Sequence, residues 1–126
     1  MLELHNDNRI RVRVKIWLEY EGRPVLGNGK LRLLRAIDEE GSISRAAQKL
    51  GISFRRAWDF LESAERNIDL KLLERKKGGA GGGSTKLTEK AKALITRFTQ
   101  LSEETRRYAE SRFGALFRER DVDDLG

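Results

Sequence analysis

Between Arg9 and Tyr20 apolar and basic side chains alternate almost strictly, with Ile10, Val12, Val14, Ile16, Leu18 and Tyr20 on one face and Arg9, Arg11, Arg13 and Lys15 on the other. A period of two predicts a half-buried strand. Glu21-Gly22 supplies a tight turn, and Arg23 to Leu26 returns beside the strand, with Pro24 marking a sheet edge. The period then changes. Leu31, Leu33, Leu34, Ala36 and Ile37 recur at helical spacing, after Asn28 as a candidate cap and before a stop at Glu40-Gly41. Arg45 to Leu50 forms a short helix behind Ser42 and Ser44, and Ser53 caps another that runs from Phe54 to about Arg66. The two flank a Leu50-Gly51-Ile52-Ser53 turn, with Ala46, Ala47, Ala57, Leu61 and Ala64 small or apolar enough for a close crossing, which is a helix-turn-helix pattern.

Downstream, Leu70 to Lys76 reads as a strand, residues 77–84 as a glycine-rich loop and residues 85–87 as a short return strand. Phe60 is expected in the core, whereas Trp58 has two open roles, bracing the hairpin or stacking near a sugar. From Thr88, a candidate cap, neither Pro nor Gly interrupts the chain before Gly114, which allows a helix near 26 residues. Ala91, Phe98, Thr105 and Arg112 fall at one heptad position, and Leu94, Leu101, Tyr108 and Ala115 at another. A helix this long on a small body has more apolar surface than its own core covers, so Leu94, Phe98, Leu101, Thr105 and Tyr108 are the candidate dimerisation seam. The alternative for the first turns is an intrachain cover over the first helix. The tail after Arg118 is charged and expected to fray, and its Asp121, Asp123 and Asp124 make a poor metal site.

These elements predict a mainly α fold with small β hairpins, a helix-turn-helix followed by a hairpin. Three parts are expected: an N-terminal hairpin arm over residues 1–27, the helix-turn-helix with its hairpin over 28–87, and a long helix with its tail over 88–126.

Charge sharpens the picture. The 126 residues carry 26 Lys and Arg against 20 Asp and Glu, a formal +6. Residues 44–92 hold 12 of the basic and six of the acidic residues, so they carry the whole excess and the remainder balances at 14 against 14. Concentrated positive charge is the footprint of a surface that meets polyphosphate. Arg55 and Arg56 stand in the first turn of the helix after Ser53, where they oppose the helix dipole and where a recognition helix meets base edges. Asp59 is better placed to pair with a neighbouring arginine than to accept from cytosine. The tip from Gly78 to Ser84 is flanked by Arg75, Lys76, Lys77 and Lys86, and its glycines allow close approach to a phosphate or a minor groove. It is not a nucleotide-binding loop, because Ser84 stands where that motif needs lysine.

The chemistry that composition excludes is equally clear. There is no Cys, and His5 is the only histidine, so thiol and histidine catalysis are nearly excluded. Scattered carboxylates such as Glu39-Glu40 and Glu103-Glu104 lack a convergent base or nucleophile, so no enzyme, metal site or cofactor is expected. No apolar run reaches a bilayer span and no signal peptide opens the chain, which predicts a cytoplasmic protein without a membrane partner.

The run Gly41-Ser42-Ile43-Ser44-Arg45-Ala46-Ala47, the run from Gly51 to Asp59, and Leu73 to Gly83 followed by Leu87-Thr88 together resemble the DNA-binding half of the molybdate-responsive transcription regulators, the ModE family, whose module is a LysR-like winged helix-turn-helix. The resemblance covers about residues 31–99. It implies a homodimer with paired recognition helices in successive major grooves of double-stranded DNA. Ser42, Ser44 and Arg45 would hold phosphates, and Ser53, Phe54, Arg55 and Arg56 would face the groove. Lys76, Lys77, Gly79, Gly81, Gly82, Ser84 and Lys86 would belong to the wing on the flanking backbone. Phe54 stands where the family often has tyrosine. The family's C-terminal molybdate-binding domains have no counterpart here, so molybdate binding by this chain is not expected, and the N-terminal hairpin replaces a segment that is often helical. The function expected is that of a sequence-specific transcription regulator. The alternatives are a winged-helix adaptor for protein contacts and a nonspecific chromatin-type DNA binder.

Overall fold

A computed structural model of the chain describes residues 10–76 and 84–117. Its elements are β1 (Leu18–Tyr20), β2 (Arg23–Leu26), α1 (Asn28–Glu40), α2 (Ile43–Leu50), α3 (Phe54–Ile68), β3 (Leu73–Lys76), β4 (Ser84–Leu87) and α4 (Glu89–Leu116). The strands make two separate antiparallel hairpins, β1 with β2 and β3 with β4. This is the mainly helical class with small hairpins that the residue periods predict, and the winged helix-turn-helix that the resemblance implies. Contacts divide the chain into one unit from Ile16 to Arg97 and another that joins residues 10–15 to the part of α4 from Phe98 onward.

The first hairpin is shorter than its alternation suggests. Glu21 and Gly22 turn it with φ of 51° and 80°, the positive values that a two-residue turn between right-twisted strands requires. β1, however, pairs only over Leu18↔Leu26, Glu19↔Pro24 and Tyr20↔Arg23, with a bulge between Leu18 and Glu19. Residues 10–17 belong to no strand. Alternation reports which side chains face solvent, but a ladder also needs a partner for each backbone N–H and C=O, and β2 ends at Leu26 where the chain enters α1. Val25 and Leu26 are buried in the core of the larger unit, and the Asn67 side chain of α3 donates to the Pro24 carbonyl at 3.3 Å.

The helices start and stop where local chemistry requires, with one exception. Ser53 accepts the N–H of Arg56 at 3.0 Å, the expected cap, and Ser42 accepts that of Arg45 at 3.1 Å, so α2 starts at Ile43 with Ser44 inside it, two residues before the expected start at Arg45. Gly41 and Gly51 end α1 and α2 with φ of 68° and 71°, conformations that cost glycine little. The exception is α1, which is preceded by Gly27 with no side-chain cap, so that Asn28 is its first helical residue and not its cap. Thr88 caps α4 as expected, accepting from Ala91 N–H at 3.1 Å while its hydroxyl donates to the Lys71 carbonyl at 2.8 Å. Gly114 does not break α4, which continues to Leu116.

The core of the larger unit gathers one apolar stripe from each element: Leu33, Leu34 and Ile37 of α1, Ala46 and Ala47 of α2, Ala57, Leu61 and Ala64 of α3, Leu72 and Leu73 before and within β3, Leu87 of β4, and Ala91 and Ile95 of α4. The second hairpin is rooted in it by polar contacts as well. Glu65 of α3 accepts the N–H groups of Leu72 and Leu73 at 2.8 and 3.4 Å, Thr85 N–H donates to the Gly41 carbonyl at 2.9 Å, and Thr88 N–H donates to the Leu72 carbonyl at 2.9 Å. β3 begins at Leu73 and not at Leu70; before it, the Leu70 N–H is given to the Glu65 carbonyl at 3.3 Å. In the other unit, Val12 and Val14 with Arg11 and Arg13 line a cleft with Arg106 and Glu110 of α4, and Arg106 pairs with Glu103 and Glu110 at 2.8 and 2.9 Å.

Two outcomes follow. Glu65→Ala should lower stability by about 1–3 kcal/mol, the range for a charged acceptor withdrawn from part-buried N–H groups, read as a shifted urea midpoint. The Lys49 ammonium of α2 donates to the Glu39 carboxylate of α1 at 2.6 Å, and this bond, followed by the charge attraction, holds Glu39 below the usual carboxylate range and Lys49 above the usual ammonium range. The Glu39 contribution is complete above its unfolded pKa and is lost as pH falls through the folded one. That of Lys49 is complete below its unfolded pKa and is lost as pH rises through the folded one. The carboxyl carbon of Glu39 should therefore titrate at lower pH in the native protein than in Lys49→Met, as followed by carbon-detected NMR.

Candidate nucleic-acid interface

The turn between α2 and α3 sets the geometry of the site. Gly51 turns the chain back, Ile52 N–H donates to the Ala47 carbonyl at 3.0 Å, and Ala46 and Ala47 of α2 and Ala57 of α3 are all but inaccessible. With Ala57, Leu61 and Ala64 turned inward, the opposite face of α3 is committed to solvent. Arg55 and Asp59 occupy that face one turn apart. Their nitrogen–oxygen separation is 3.6 Å and the Arg55 side chain is 87% exposed, so the expected pairing of Asp59 is present but loose.

At about 100° of rotation per residue, the remaining side chains of α3 sort into two flanks. Phe54, Trp58 and Glu62 line one: the Phe54 and Trp58 ring centroids are 6.1 Å apart, and Trp58 Nε1–H donates to Glu62 Oε2 at 3.1 Å. Arg56 and Phe60 line the other, with the Arg56 guanidinium 5.4 Å from the Phe60 ring centroid. Phe60 is thus half-buried under an arginine instead of lying in the core. Trp58 takes the bracing role, because the Arg75 guanidinium of β3 lies over its ring at 4.0 Å. The wing therefore stands on the Phe54–Trp58 flank, about 60° around α3 from Arg55 and about 160° from Arg56.

The other candidate residues fall as follows. Ser42 and Ser53 are N-caps; Ser44 and Arg45 are exposed in the first turn of α2; Phe54 is 51% exposed at the start of α3. Lys76, Ser84 and Lys86 are exposed on the wing strands, in the register Lys76↔Ser84, Arg75↔Thr85 and Glu74↔Lys86. Lys77, Gly79, Gly81 and Gly82, and the acidic tail after Arg118, lie outside the described residues. On α4, Leu101 and Tyr108 are 47% and 68% exposed and Leu94 is half-buried. Phe98 is only 1% exposed and so is enclosed within the chain, and the Thr105 hydroxyl donates to the Leu101 carbonyl at 2.7 Å.

Sequence reasoning did not find the specific partner of Trp58, nor the role of Glu65 at the root of the wing. The available signal was Arg75 two residues beyond Leu73 on the inward-facing register of a strand. Among the described residues no helix is long and apolar enough to cross a membrane, and no group of three or more His, Cys, Asp or Glu residues is arranged to hold a metal ion.

Three helices with a tight glycine turn between the second and third, followed by a rooted β hairpin, define a winged helix-turn-helix domain. Residues 29–92 match the family described as bacterial regulatory helix-turn-helix protein, lysR family. The chain belongs to that family, and its helix-turn-helix domain is of the ModE kind. It is 37% identical over 81 residues to the molybdenum-pterin-binding protein MopA of Rhodobacter capsulatus, covering 64% of this chain and 31% of that protein. It is 40% identical over 80 residues to the transcriptional regulator ModE of Haemophilus influenzae, covering 64% and 31%. With the molybdenum transport protein ModE of Herbaspirillum seropedicae it shares 45% identity over 69 residues, covering 55% and 26%. The chain thus spans about a third or less of the length of these curated relatives. A solved structure, the BenM_DBD/benA site 1 DNA complex, is 25% identical with a TM-score of 0.45, covering 67% of this chain and 97% of that one.

The loose tether of Arg55 has a direct consequence. Asp59→Asn should leave the stability of the free protein within about 0.5 kcal/mol of the native value, the worth of an exposed pair one helical turn apart, as read from thermal or urea unfolding.

Proposed function

We infer that the protein is a sequence-specific DNA-binding transcription regulator that acts as a homodimer, with α3 in the major groove and the β3–β4 wing on the adjacent backbone. The observation that carries this reading is the exposed, loosely held Arg55 guanidinium in the first turn of a helix whose opposite face is sealed into the core. A planar fork in that position matches the two acceptors of a guanine edge. With no acidic residue in the first turn of α3, the dipole and both arginines present positive potential to an anionic partner. Exposed Arg45 of α2 and Lys76 and Lys86 of the wing add to it. The relatives named transcriptional regulator support carrying that role to this chain.

Dimerisation is proposed through α4, where Leu94, Leu101 and Tyr108 recur every seven residues on one stripe. Phe98 is left out of that seam because it is already enclosed. A two-fold arrangement places half-sites about 34 Å apart or at a multiple of that spacing. The reading assigns no catalysis, cofactor or oxyanion sensing to these residues, and it places the protein in the cytoplasm with its DNA.

Selection from random duplex followed by binding assays tests it. Arg55→Ala should cost about 1–3 kcal/mol on the selected sequence and relax preference at one base position, whereas Lys76→Ala should weaken all duplexes alike and reduce the salt slope by about one. A footprint without a dyad, or equal losses on every sequence from both variants, would overturn the reading. Retention of no duplex at all would favour a protein-binding adaptor instead.

A further inference from the structure

We propose that Arg75 is a positioning residue of the wing and not one of its phosphate contacts: its guanidinium, laid on the Trp58 indole, sets how far the β3–β4 hairpin stands from α3. The consequence for DNA rests on the reading given above, while the clamp itself is a property of the free protein.

Three observations converge on it. The guanidinium carbon lies 4.0 Å from the ring centroid, which is van der Waals stacking, well inside the roughly 6 Å reach of a cation–aromatic attraction. The indole is itself held along α3, by Phe54 one turn before it and by Glu62, which accepts its N–H, one turn after. The strand register supplies the third. Side chains alternate across a hairpin, and Arg75 lies opposite Thr85, whose side chain is buried, and in step with Leu73, which is in the core. Glu74, Lys76, Ser84 and Lys86 share the other face and are exposed. The wing thus divides its cations by direction: Lys76 and Lys86 point outward, whereas Arg75, although also exposed, continues the inward row past the edge of the core and lies over the indole.

Geometry makes this contact matter. The hairpin is rooted at Leu72, Leu73 and Thr85, and above that root the described ladder has only the rung Lys76↔Ser84. A two-stranded ribbon of this length does not hold its own angle. The stack at Arg75, level with the Thr85 anchor, ties the hairpin to α3 nearer its start than Glu65 does. Lysine keeps the charge but not the plane, so it does not substitute in a stacked site.

The test separates clamp from phosphate contact. In the full chain, Arg75→Ala, Trp58→Ala and the double variant should each accelerate hydrogen exchange of the β3–β4 amides by about two- to thirtyfold, the range of a stacked cation–aromatic contact. The double variant should be no faster than either single one. Arg75→Lys should behave as Arg75→Ala does, and Trp58→Phe, the conservative change, should restore much of the protection. On the selected duplex, Arg75→Lys and Arg75→Ala should weaken binding with an unchanged salt slope. Additive exchange effects, or a slope reduced by about one in Arg75→Ala with unaltered exchange, would overturn the proposal. Should the native protein retain no duplex, the DNA reading fails, and the exchange cycle alone decides the clamp.

Discussion

The close crossing of α2 and α3 is the constraint on which the rest of the molecule depends. Two helices approach closely only where side chains are small, and the buried faces of α2 and α3 offer Ala46, Ala47 and Ala57 on either side of the Gly51 turn. Their approach fixes the rotation of α3 about its own axis. Once Ala57, Leu61 and Ala64 face inward, Arg55 and Asp59 have no option but solvent, and the flanks belong to the rows headed by Phe54 and by Arg56. A bulkier residue at any of these alanines would overpack the crossing and change what α3 presents, before any exposed residue was touched.

The second hairpin extends that logic from packing to polar chemistry. Its root is held by Glu65, whose carboxylate takes two strand N–H groups, and by the Gly41 carbonyl, which serves at once as the end of α1 and as an anchor for Thr85. One helix terminus therefore sets the position of one wing strand. The arginines of the site are kept in three different ways: Arg55 loosely paired and outward, Arg56 over a half-buried ring, and Arg75 close over an indole. Equal formal charges thus do unequal work, because the guanidinium plane can be bound by an aromatic face while the charge persists.

Reading the chain alone captured the capped turn of the helix-turn-helix, the hairpins and the long last helix, since each rests on interactions within a few residues: serine to N–H three positions on, glycine at positive φ, and apolar spacing of 3.6 or two. It also bounded the chemistry, because the absence of cysteine and a single histidine are facts of composition. It overextended β1, because alternation along Arg9–Tyr20 says nothing about whether a partner strand is long enough to pair with it. It put Phe60 in the core, because helical periodicity alone gives the face of a ring and not what lies over it.

Tertiary structure decided what contacts between distant residues decide. Arg75 and Trp58 stand 17 positions apart in the chain, and only the fold brings that cation to that ring. The same holds for Phe98. Its heptad position is a property of sequence, but its enclosure within the chain depends on which surfaces the fold brings over it. Local spacing determines which elements form and which side each residue occupies; long-range packing determines which neighbour each side chain meets, because those neighbours lie far away in the chain.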